Sequence, residues 1–120
     1  MKSIWKLYHG KKMLYCDYRN FGMDAESIAR EIAAVEKEIL SRPEATVLTI
    51  LDMSGTIGTP EIVKLFKGTA FRTRKHVLKN AVLGLTGIQK FLAESISRVS
   101  GQNFQMFQNE REAAEWLAGQ

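Results

Sequence analysis

The chain carries little with which to cross-link, ligate or catalyse. One cysteine, Cys16, rules out an internal disulfide and suits a reducing compartment. Two histidines beside that single cysteine give no metal-ligand spacing, so no metal and no cofactor is expected. The prolines number only two, Pro43 and Pro60, and both serve as helix punctuation. No apolar run approaches membrane-spanning length. The start, M-K-S-I-W-K-L-Y-H-G, breaks its apolar residues with Lys6 and His9, so it lacks a signal-peptide hydrophobic region. Internal repeats, low-complexity tracts and linkers are missing as well. The expectation is a cytoplasmic protein folded as one domain over residues 1–120, long enough to bury a core without staples. A net charge of +4 is a fact about solubility before it is one about function. Nucleic acid is not expected as a partner, because the basic stretch is short and carries no recognised binding motif.

What is there is organised around Thr46 to Phe66, T-V-L-T-I-L-D-M-S-G-T-I-G-T-P-E-I-V-K-L-F. Val47 to Leu51 is an apolar, β-branched run suited to a central strand buried on both faces. It stops at Asp52, and a loop with Gly55 and Gly58 follows. Thr59, Pro60 and Glu61 then read as N-cap, first-turn proline and acidic start of a helix. This is a βα unit, whose loop is a usual place for a site.

Around it, Ser3–Tyr8 and Lys12–Tyr18 read as a hairpin turned at His9-Gly10-Lys11. Asp24 caps a helix with Ile28, Ile32, Val35 and Ile39 at helical spacing, while Arg30, Glu31, Glu36, Lys37 and Glu38 read as mostly solvated. The helix from Pro60 runs to about Leu78, and Ala81–Leu85 is a short strand closed by Thr86-Gly87. Ile88, Phe91, Leu92, Ile96 and Val99 mark a further helix ended by Gly101. Phe104–Phe107 is the last strand. Asn109 and Glu112 open a final helix that buries Ala113, Trp116 and Leu117. The order ββαβαβαβα predicts an α/β fold with a mainly parallel sheet and an antiparallel first strand.

That order resembles the SpoIIAA-like fold of STAS domains, and is most similar to small bacterial proteins described as SpoIIAA-like or STAS-like. The carrying stretches are the opening hairpin, V-L-T-I-L-D-M-S-G, A-V-L-G-L-T-G and F-Q-M-F-Q-N-E-R-E-A-A-E-W-L, which together span essentially the whole chain. The resemblance implies a regulatory or interaction domain. Anti-sigma-factor antagonists of this fold carry a phosphorylatable serine in a D-S-S-G loop at the start of the corresponding helix. Here that helix starts at Gly58-Thr59-Pro60-Glu61, so the motif is absent. Thr59 takes the equivalent N-cap and Ser54 lies earlier in the loop, which makes these two the candidate phosphorylation sites.

The candidate binding loop is therefore Asp52, Ser54, Gly55, Thr56, Gly58 and Thr59. Backbone N–H groups at a helix N-terminus beside hydroxyls and glycines can hold an anionic ligand, or the same residues can simply cap and turn. G-T-I-G-T lacks the lysine and spacing of a P-loop. A second candidate surface lies on the next helix, where Ile62, Leu65, Phe66, Thr69, Thr73 and Val77 share the inward face. Phe71 falls on the opposite side among Lys64, Lys67, Arg74 and Lys75. It would meet an acidic partner, a membrane surface or another subunit, unless Gly68 breaks the helix and turns Phe71 inward. Cys16 reads as a buried, inert thiol rather than a nucleophile served by His9 or His76, and Trp5 and Trp116 read as core aromatics. The leading expectation is a non-enzymatic domain binding a protein partner or small ligand near Ser54–Thr59. The alternative is a carrier of a lipid or other small apolar ligand, with Met13, Met53 and Met106 among its lining. An enzyme using Asp52 and Thr59 is the weakest reading.

Overall fold

The computed structural model describes residues 1–85, 96–98 and 100–119. Five strands form one sheet: β1 (Ile4–Tyr8), β2 (Lys11–Asp17), β3 (Val47–Asp52), β4 (Val77–Leu83) and β5 (Phe104–Phe107). Their spatial order follows the chain order. Only β1 runs antiparallel to its neighbour, and β2 to β5 are parallel. His9 and Gly10 both have positive φ, which is what a two-residue turn matching the strand twist requires, and Tyr8 pairs directly with Lys11.

Three helices are described from end to end: α1 (Ala25–Leu40), α2 (Pro60–Thr73) and α3 (Glu110–Leu117). Each is capped by the side chain its sequence offers. Asp24 accepts from the Ser27 N–H, Thr59 from Ile62, and Asn109 from Glu112, at 3.0, 3.2 and 2.9 Å. The period-two alternation of β2 then sorts the core onto two faces. Leu14, Cys16 and Tyr18 pack with Ile28, Ile32, Val35 and Ile39 of α1 and Ile62 of α2. Met13 and Tyr15 pack with Leu48, Ile50 and Ala81 against Ala113, Ala114 and Leu117 of α3. The sheet is thus sandwiched, α1 and α2 on one face and α3 on the other.

Three expectations change, and the alternative of a break at Gly68 is resolved. Glu31 is buried rather than solvated, because it accepts from the Lys2 and Ser3 N–H groups, each at 2.9 Å, and from the Ser3 hydroxyl at 2.7 Å. Helix α2 ends at Thr73, so Val77 and Leu78 open β4 instead of closing the helix. The turn between them is held by Ala45 N–H to Lys75 C=O and by His76 Nδ1 beside Arg42 C=O, at 2.8 Å each. Gly68 does not break α2, which is continuous through it. Trp116 is half-buried, its ring 5.5 Å from that of Phe107. The helix expected from Ile88 lies outside the described residues as far as Ser95, with residues 96–98 helical.

Candidate functional site

The parallel strands β2, β3 and β4 end together, with Asp17 opposite Asp52 and Asp52 opposite Leu83. Because the strand order never reverses among these five strands, there is no crevice of the kind a switch of strand order creates. Any site at this edge must be built by the loops themselves. Residues 18–22 and 52–57 lie side by side like an extra pair of strands. Tyr18 N–H donates to Asp52 C=O at 3.1 Å, Asn20 N–H to Ser54 C=O at 2.8 Å, and Gly22 N–H to Gly55 C=O at 2.9 Å. Ile57 N–H returns to Gly22 C=O at 2.8 Å, and Met53 N–H reaches Leu83 C=O at 2.9 Å.

Two side chains lock this arrangement. The Thr56 hydroxyl donates to Tyr18 C=O at 2.5 Å and accepts from Phe21 N–H at 3.1 Å. The Asp52 carboxylate accepts the Tyr15 hydroxyl at 2.5 Å on one oxygen, and Ser54 N–H and Oγ on the other at 3.1 and 2.8 Å. Burial first, then the hydrogen bond to Asp52, pushes the Tyr15 phenol well above its ordinary value. Lys6 sits 4.0 Å above the Tyr15 ring and pairs with Glu110 at 3.2 Å. Beside them Asp17 is held below the usual carboxylate range by its hydrogen bonds from Arg19, against the opposing effect of burial.

The six loop residues therefore divide. Asp52 and Thr56 are buried and occupied in holding the loop. Ser54 and Gly55 are exposed, while Gly58 and Thr59 are half-buried. Thr59 Oγ is the N-cap acceptor of α2, with Pro60 in the first turn and Glu61 beside it. Thr59→Ala is expected to lose about 1 kcal/mol in chemical denaturation and Thr59→Ser almost nothing. Equal losses from the two would remove the cap from the account.

The second candidate group is separate. Phe71 is 52% exposed, so it faces outward, and the Arg74 guanidinium stacks 4.0 Å from its ring centre. Lys64, Arg74 and Lys75 are exposed and Lys67 is half-buried. Phe71 lies three helical turns beyond Pro60, so the structure does not bring this group to the loop.

Sequence reasoning missed two residues at the loop. Met23 and Ile57 are 67% and 50% exposed, and they flank the Gly22–Thr56 bridge. Their signal was available, as an apolar residue stranded between turn formers in G-M-D and T-I-G. Under α2 a cavity of about 100 Å³ is walled by apolar groups such as Ile62, Phe66 and Val82. A polar chain crosses its lining. Thr49 donates to Asn80 Oδ1, Asn80 Nδ2 to Gln102 Oε1, and Gln102 Nε2 to Ala70 C=O and Thr73 Oγ. Met53 lines the cavity, whereas Met13 belongs to the opposite core face.

Cys16 is fully buried, and burial pushes its thiol far above the ordinary range. His9 stands in the hairpin turn before β2, whereas Cys16 lies near the other end of that strand. No group of three or more potential metal ligands occurs among the described residues, and no helix there is long and apolar enough to cross a membrane.

No protein-family model and no curated protein matches the chain. Among solved structures, it is similar to a protein of the DUF3478 family with a SpoIIAA-like fold from Shewanella loihica PV-4. The two share 14% identity at a TM-score of 0.72, over 96% of this chain and 91% of the other. The fold is SpoIIAA-like, α/β with an antiparallel first strand.

Proposed function

We propose that this is a non-enzymatic, cytoplasmic regulatory domain that binds a protein partner through the edge formed by residues 18–23 and 52–59. One observation carries the reading. The loop is fastened by backbone and side-chain hydrogen bonds along its length, yet it holds Met23 and Ile57 in water. A fastened support has its backbone ordered already, so binding through these exposed apolar side chains costs side-chain entropy alone, which favours an interface anchor. The polar groups beside them are spent on structure: both Asp52 oxygens have donors, and Thr56 is tied to Tyr18. Of the two hydroxyls, Thr59 is the better place for a regulatory phosphate, which there would meet the positive end of α2. On Ser54 the phosphate would abut the Asp52 carboxylate.

The test is site-specific photocrosslinking in cells. A benzophenone amino acid at Ile57 is expected to give one discrete adduct with a second protein, lost when Met23 is changed to Glu. The same probe at exposed Arg111 on α3 should give none. A smear or no adduct at Ile57 would remove the partner-binding reading. The cavity under α2 favours carriage of a small apolar ligand as a second reading. Its volume of about 100 Å³ falls short of the roughly 300 Å³ at which ligand pockets begin, so carriage would need α2 to move outward. Native mass spectrometry separates the two, since a carrier retains a co-purified lipid mass.

A further inference from the structure

Helix α2 and the turn after it carry the most lopsided charge on the molecule. Between Pro60 and Lys75 there are five basic residues and one acidic one, Glu61. Arg72 is neutralised across the helix pair by Glu36 on α1, at 2.9 Å. Lys64, Lys67, Arg74 and Lys75 form no ion pair among the described residues, and Arg74 instead donates to Phe71 C=O at 2.7 Å while covering its ring. At the pitch of a helix Lys64, Lys67 and Phe71 fall on one stripe, opposite the buried Ile62, Ala70 and Thr73, and the exposed Arg74 and Lys75 follow in the turn after α2.

We infer that this stripe is a docking surface for an acidic segment of a partner protein that carries an apolar anchor to lie against Phe71. Charge decides between occupants. A second copy docked about a two-fold axis would set this stripe against itself, bringing like charges together around the aromatic. An anionic bilayer is a plane and would also meet exposed acidic groups beside the stripe, Glu61 on α2 and Glu26 on α1. A narrow acidic segment avoids both penalties, because it can follow the positive row without covering those acidic groups. The aromatic supplies what the lysines lack, an area to desolvate, and Arg74 already holds it in place. This surface is distinct from the loop edge and stands whether or not that edge binds anything.

Fluorescence anisotropy with a labelled amphipathic peptide tests it, the peptide having Leu and Phe along one face and Glu elsewhere. Its counterpart with every Glu replaced by Lys is the control. The acidic peptide is expected to bind, the basic one not, and affinity should fall by about tenfold between low and physiological salt. Phe71→Ser and the double change Lys64→Glu with Lys75→Glu should each weaken binding by at least about tenfold while circular dichroism stays unchanged. No binding of the acidic peptide, or binding that either variant leaves intact, would overturn the proposal. So would co-sedimentation with phosphatidylserine vesicles in place of peptide binding, which would make the surface a membrane contact. A dimer in sedimentation velocity that Phe71→Ser dissociates would give the stripe to a second copy instead.

Discussion

Gly84→Ala is expected to cost about 3 kcal/mol and to lower the melting temperature by roughly 10 °C. Gly84 follows the last residue of β4 with φ at +80°, where an L side chain is strained. A Cβ there would stand 2.6 Å from Ser54 N and 2.9 Å from Ser54 Cα, and against Ser54 Oγ. That backbone has nowhere to go, because Ser54 N–H is held by Asp52 and Met53 N–H by Leu83 C=O. The left-handed backbone accounts for about 1–2 kcal/mol and the overlap for the rest. Gly22→Ala is the control. Its φ is +57°, but a Cβ there meets nothing within 4 Å, so only the backbone cost should appear. Equal losses from Gly22→Ala and Gly84→Ala in urea denaturation would mean that Ser54 does yield, and that the loop edge is softer than its hydrogen bonds imply.

This contrast also marks what the sequence could and could not convey. Local chemistry was legible. The β-branched run of β3, the caps Asp24, Thr59 and Asn109, and the apolar spacing of α1 each contain their own explanation within a few residues. From them the ββαβαβαβα order and the sense of β1 follow. Long-range chemistry was not. Strand β4 reads poorly before Ala81 because Lys79 and Asn80 interrupt it, yet Asn80 is buried, accepting from Thr49 and donating to Gln102. Those partners stand 31 and 22 positions away, so no window on the sequence contains the compensation. The same holds at the loop edge. Asp52 stood out as the end of an apolar strand, but its partner Tyr15 is 37 positions off and meets it only because β2 and β3 are parallel and in register. The loop was thus located from its turn formers, while the division of its residues into fasteners and exposed groups needed the fold.

Glu31 is the sharpest instance, and its replacement should be nearly as damaging as that of Gly84. Its charge reads as solvated, yet on a helical wheel it stands at the edge of the apolar face of α1, one turn from Ile28 and Val35, and the chain before β1 folds over it. Its two oxygens take the N–H groups of Lys2 and Ser3, and the Ser3 hydroxyl, whose oxygen in turn accepts from Asp17 N–H at 2.8 Å. One carboxylate thereby ties the N-terminal segment and the end of β2 to α1. Glu31→Ala would leave buried donors unpaired at about 1–3 kcal/mol each, so a loss of about 3 kcal/mol is expected at neutral pH. Burial pushes the Glu31 carboxyl up, but the hydrogen bonds from Lys2 and Ser3 outweigh it and hold the pKa below its ordinary value. The sign follows from that direction. Its contribution is complete above the unfolded carboxyl's pKa of about 4.3 and is lost as pH falls through the lower folded value. Glu31→Gln isolates this term, since a protonated carboxyl and an amide both offer one carbonyl acceptor. In urea denaturation the gap between the wild type and Glu31→Gln should be widest near neutrality and should shrink as the pH drops below about 4. A gap that stays constant into acid would show that the charge on Glu31 contributes nothing and that its side chain acts there by shape alone.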